Sequence, residues 1–114
     1  MSESDVKRGI LQWLNLQEAT FAYPVRTTGI PNGKGGFRTN KDMVGCPDIH
    51  GVLYGQGFVL EVKDGKNKPT DSQKEWLQRY VDRGKGFAAV VWSLEDTQEF
   101  YAEIKEEVKR RLKL

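Results

Sequence analysis

The sequence has little of what builds cross-linked or zinc-bound scaffolds: one cysteine, Cys46, and one histidine, His50. A single thiol cannot form an intrachain disulfide, and one Cys with one His cannot furnish the ligands of a structural zinc site. Any metal chemistry therefore falls to carboxylate oxygens, whose preferred ions are Mg²⁺, Mn²⁺ and Ca²⁺. Long apolar runs are also missing. No stretch approaches the ~20 residues of a membrane span, and the opening segment MSESDVKRGI lacks the apolar core of a secretion signal. A cytoplasmic chain without a membrane partner is expected. Nor does one sign of charge dominate, since 18 Lys and Arg face 16 Asp and Glu, a net charge of +2. That near-balance excludes a protein that coats nucleic acid through one large basic surface.

What the sequence does hold is bulk for a core: three Trp, four Tyr and five Phe in 114 residues, the size of one domain spanning residues 1–114. Val6, Ile10, Trp13, Leu14 and Gln17 recur at helical spacing, which predicts a helix over the first seventeen residues, capped by Ser2 or Ser4. Glu3 continues that face, whereas Asp5, rotated by ~200°, points to solvent. Phe21 to Arg26 suits an edge strand because Pro24 interrupts it. Asp48–Tyr54 and Phe58–Lys63 predict an antiparallel hairpin turning through Gly55, Gln56 and Gly57. Their few polar positions imply central strands covered on both faces.

A helix beginning at Thr70 or Asp71 carries Gln73, Trp76, Leu77 and Tyr80 on one face and ends near Gly84. Phe87–Trp92 is the next strand, and Ser93 caps a last helix with Phe100, Tyr101, Ile104, Val108 and Leu112 in line. The order α-β-β-β-α-β-α predicts an α/β sandwich, a mixed central sheet flanked by helices. A right-handed crossover between residues 58 and 92 makes those two strands parallel.

Between the edge strand and the hairpin, residues 26–45 read as a long loop with Gly29, Gly33, Gly35, Gly36 and Gly45. No acid occurs from residue 19 to 41, while Arg26, Lys34, Arg38 and Lys41 are all basic. Flexible backbone with concentrated positive charge suits contact with nucleic-acid phosphates, which positions a substrate without reading bases.

The chemistry concentrates after that loop, in Gly45-Cys46-Pro47-Asp48 and, one hairpin later, Glu61-Val62-Lys63. Glu61 and Lys63 share a strand face, and the hairpin returns Asp48 beside Glu61 on a strand ~4.8 Å away, within reach of one shared divalent ion. An ion pair of Lys63 with Glu61 or Asp64 at a sheet end is the plainer reading. Cys46 has no evident orienting partner beyond His50 and reads as a small buried residue. His50 shares the Asp48 face, where it contacts DNA or simply packs.

Gly45, Pro47 and Asp48, followed by Glu61, Val62 and Lys63 and then Gln73, resemble in that order the signature of the virus-type replication-repair nuclease (VRR-NUC) domain. That family is a branch of the PD-(D/E)XK nuclease superfamily, and the resemblance spans nearly the whole chain. It implies a restriction-endonuclease-like fold and a metal-dependent DNA endonuclease. Asp48 and Glu61 would hold Mg²⁺ or Mn²⁺ with the Val62 carbonyl, and Lys63 would assist the attacking water. Gln73 would join the catalytic group, although Thr70 and Gln73 equally fit a capping box. Glu3 resembles the N-terminal glutamate that supports the metal. The resemblance further implies branched DNA such as Holliday junctions or flaps as substrate, a homodimer, and work in DNA repair in a bacterial or phage-infected cell. A non-catalytic module of the same fold, binding nucleic acid or protein, is the competing reading. Retention of Asp48, Glu61 and Lys63 stands against it.

Overall fold

The computed structural model describes residues 2–25, 30–31, 37–38 and 44–114, with backbone alone described at 30, 31, 37 and 38. Its elements run α1 (Glu3–Leu14), β1 (Thr20–Pro24), β2 (Ile30–Pro31), β3 (Phe37–Arg38), β4 (Ile49–Leu53), β5 (Gln56–Val62), α2 (Asp71–Asp82), β6 (Phe87–Val91) and α3 (Leu94–Leu112). The main sheet is ordered β1-β4-β5-β6, with β1/β4 and β4/β5 antiparallel and β5/β6 parallel. This is a mixed four-stranded α/β architecture in the expected order, with β1 at the edge. The expected loop over 26–45 holds an addition, the antiparallel pair of β2 and β3. Strands of two residues are too short to display the alternation by which strands are recognised.

Ser2 caps α1 in a capping box, its hydroxyl accepting the Asp5 amide at 3.2 Å while the Asp5 carboxylate accepts the Ser2 amide at 3.3 Å. The helix stops before residue 17 because Asn15 turns back on the edge strand. Its side chain accepts the Ala22 N–H and donates to the Ala22 carbonyl, both at 2.9 Å. The expected turn of the hairpin is corrected too. Leu53 pairs with Gln56, so the turn is Tyr54-Gly55, with φ of 49° and 77°. Two consecutive positive φ angles give the tight turn whose twist matches the strands it joins. Gln56 and Gly57 belong to β5.

One face of the sheet carries the core: Ile49, Leu53, Phe58, Leu60, Val62 and Val91 against Ile10 and Leu14 of α1 and Tyr101, Ile104 and Val108 of α3. Each large apolar side chain buried there contributes about 1.5–3 kcal/mol. Successive strand residues point to opposite faces, so Gly57 turns away from the core, and it lies against the Tyr80 hydroxyl of α2. Helix α2 thus packs on the other face, over β5 and β6. The expectation that both hairpin strands are covered on both faces holds for β5, buried from Phe58 to Val62, and fails for β4, where Val52 is 38% exposed.

Gly45 fixes how the chain comes into β4. Its φ is +79°, and a Cβ there would strike the Ser72 carbonyl, whose carbon lies at 2.7 Å, at the start of α2. Gly45→Ala is expected to cost about 2–4 kcal/mol, combining left-handed strain with a backbone clash. A urea unfolding midpoint indistinguishable from that of the parent chain would disprove this.

Candidate active site

The register that pairs Ile49 with Leu60 continues one step to set Asp48 across from Glu61. Asp48 is held at both oxygens. Its Oδ2 accepts the Val62 N–H at 2.9 Å and its Oδ1 meets the Lys7 ammonium at 3.2 Å. Val62 therefore stands between the two acids with its amide fixed on one of them. Lys63 continues the face of Glu61, its Nζ 3.9 Å from Glu61 Oε1 and its backbone N–H anchored on the Val91 carbonyl at 2.9 Å.

Glu61 is only 3% exposed, and its Oε2 has no hydrogen-bond partner among the described residues. Burial pushes its carboxyl up to about 8, reinforced by the facing carboxylate of Asp48 and the charge of Glu3, against the opposing pull of Lys63. A carboxylate kept from water and faced by another acid needs a proton or a cation between them. Hard oxygen donors on adjacent strands suit Mg²⁺ or Mn²⁺.

The predicted residues divide cleanly. Asp48, Glu61, Val62 and Lys63 come together. Glu3 is half-buried and near enough to act on Glu61 through its charge. No three Asp, Glu, His or Cys side chains converge as a metal shell among the described residues, and Glu3 acts on Glu61 there through its charge. Asp5 is tied into the cap of α1. Gln73 closes the α2 capping box that the sequence also allowed: its Oε1 accepts the Thr70 N–H at 2.8 Å and its own backbone N–H donates to Thr70 Oγ1 at 3.2 Å. Arg26, Lys34 and Lys41 lie outside the described residues, as does the side chain of Arg38.

Cys46 Sγ lies 3.5 Å from His50 Nε2. Burial, together with the charges of Glu61 and Asp48, raises the thiol, which keeps it protonated and unsuited to nucleophilic attack. Burial lowers the His50 imidazole, favouring its neutral form. The residue that sequence reasoning missed is Lys7. Its signal was present, because Glu3, Lys7, Ile10 and Leu14 follow the spacing of one helical face, two of them in the core. No family model matches the chain, and no curated protein matches it.

The raised Glu61 carboxyl has a thermodynamic signature. A folded-state value of about 8 above the ordinary 4.5 means that Glu61 favours folding fully below pH 4.5, and that this contribution is lost as pH rises through about 8. Glu61→Gln should flatten that slope and, near pH 9 in EDTA, melt roughly 5 °C above the parent chain. Thermal unfolding across this range checks it, and parallel curves would count against a buried, proton-holding Glu61.

Proposed function

We propose that residues 1–114 form a single VRR-NUC-type nuclease domain with a restriction-endonuclease-like fold, a divalent-metal-dependent endonuclease that hydrolyses DNA phosphodiesters. The observation that carries the reading is the buried Glu61 Oε2, without a partner among the described residues, across from Asp48 at the end of an otherwise apolar hairpin. An orphaned carboxylate oxygen beside a second carboxylate is costly alone and well suited to hold a cation. Asp48 and Glu61 would hold Mg²⁺ or Mn²⁺, with the Val62 carbonyl as a further oxygen donor. When bound there, the ion polarises the scissile phosphate and lowers the pKa of a coordinated water.

The remaining chemistry belongs to the chain. Lys63, anchored by its own backbone on β6, presents its ammonium beside Glu61, where it orients the attacking water and stabilises charge that builds on the phosphate. Lys7 balances Asp48, and its ammonium would compete with a cation for that oxygen. Gln73, whose Oε1 closes its helix cap, and Glu3, whose charge acts on Glu61, would support the site from beside it. Arg26, Lys34, Arg38 and Lys41 are assigned to the DNA backbone, which favours structure-selective cutting of junctions, flaps or other branched DNA. One domain carries one such site, so paired incisions call for a homodimer.

The non-catalytic alternative has one observation in its favour: Lys7 and Lys63 already face the two acids, which lessens the need for metal. Cleavage decides between the two. With Mg²⁺ or Mn²⁺ the purified chain should cut synthetic junctions and flaps, EDTA should abolish cutting, and Asp48→Asn and Lys63→Ala should each slow it by about 100-fold or more. Cutting that survives EDTA or either substitution overturns the mechanism, and binding without cutting under every metal condition selects the alternative.

Lys7 offers a separate check. If it competes with a cation for Asp48 Oδ1, Lys7→Gln should bind Mn²⁺ about three- to tenfold more tightly in calorimetric titration. Weaker or unchanged binding would remove Lys7 from the site.

A further inference from the structure

Five rings stand in consecutive contact across the sheet face that α2 leaves half uncovered. Phe21 and Tyr23 of β1 lie 5.7 Å apart between centroids, Tyr23 and His50 6.1 Å, His50 and Trp76 5.5 Å, and Trp76 and Tyr80 5.6 Å. The outer end is open, with Phe21 61% and Tyr23 44% exposed. The inner end is built more firmly. A Cβ at Gly57 would strike the Tyr80 hydroxyl and one at Gly86 would strike its ring, so both glycines clear the seat in which Tyr80 lies. Trp76 stacks on that seated ring at 15° between planes.

Beside this pair opens a cleft of about 340 Å³ lined by Trp76, Arg79, Tyr80, Arg83 and Gly84. That volume lies within the usual range of small-ligand sites, roughly 300–1,000 Å³. Among the described residues, two guanidinium groups and no acid line it. The nearby Asp82 carboxylate is engaged by the Gln78 amide at 2.9 Å. The ladder also leads to the candidate active site, since His50 is two residues from Asp48 on the same strand face, about 6.6 Å along the chain.

We propose that this ladder is a stacking platform for unpaired nucleotides, with bases laid on Tyr23 and Trp76 and phosphates met by Arg79 and Arg83. It rests on the nuclease reading and deepens it: the substrate is DNA with a single-stranded segment beside the bond to be cut. Rings offer their faces to any base, but only a base freed from the duplex stack can take them. The flanking arginines select a polyanion over a second apolar surface.

The test is fluorescence anisotropy with the full chain in EDTA, using labelled oligo(dT) and a blunt duplex of equal length. Tyr23→Ala and Trp76→Ala should each weaken oligo(dT) binding by about 5- to 100-fold, and Arg79→Gln with Arg83→Gln should reduce the salt dependence of binding. Duplex binding should change less than twofold. Trp76→Phe should restore binding, which separates stacking from folding, and Tyr23, on an exposed edge strand, is expected to be replaceable without unfolding the chain. Unchanged oligo(dT) affinity in both alanine variants, an equal loss for duplex, or no oligo(dT) binding by the parent chain overturns the proposal. So does sedimentation showing a dimer that Phe21→Ala dissociates while DNA binding persists, which would make the strip an interface between two copies. Failure here leaves metal-dependent cutting intact. Loss of cutting with oligo(dT) binding retained would overturn the nuclease reading and not the platform.

Discussion

The pairing of β4 with β5 decides where two negative charges meet. A two-residue turn at Tyr54-Gly55 sets that pairing, and it carries Asp48 to its place opposite Glu61. Side chains alternate along a strand, so a slip of one residue would bring core residues to the acids' face and send an acid toward the core. The apolar demand of α1 and α3 on one face and the placement of Asp48, Glu61 and Lys63 on the other are thus one constraint seen twice.

That constraint creates an electrostatic problem which the rest of the molecule answers in part. Glu61 is buried, Asp48 faces it, and the response comes from two lysines, Lys63 just past the end of β5 and Lys7 reaching across from α1. Neither meets Glu61 Oε2. Burial of a carboxylate with one oxygen left without a partner among the described residues favours the protonated form, and burial is what raises the Glu61 carboxyl. A site that must otherwise keep a proton is well placed to exchange it for a cation.

Much of this was legible in the sequence. Helical periodicity located α1, α2 and α3, apolar runs located β4, β5 and β6, and the spacing from Asp48 to Glu61 and Lys63 anticipated their meeting. What escaped notice had physical reasons. Gly55 and Gly57 look like the two ends of a turn, yet Tyr54 takes the positive φ with its ring packed beside the core, and Gly57 serves a close approach instead. Lys7 on a helix surface is indistinguishable in sequence from a solvated lysine until tertiary packing gives it Asp48. Gln73 fitted a cap and a site equally well, and the local bond, which needs no long-range ordering, is the one formed. The open half of the sheet could not be read at all, because how far α2 extends over β4 is a matter of helix placement and not of strand composition.

Gly45 carries a mechanical consequence. With no room for even one carbon between it and the Ser72 carbonyl, the segment leading to Asp48 and the first turn of α2 bear directly on each other. Trp76 and Tyr80 ride on that same helix. The carboxylates and the ring ladder are therefore braced as one body, and a ligand that spans them meets a ruler of fixed length and not a pair of independent grips.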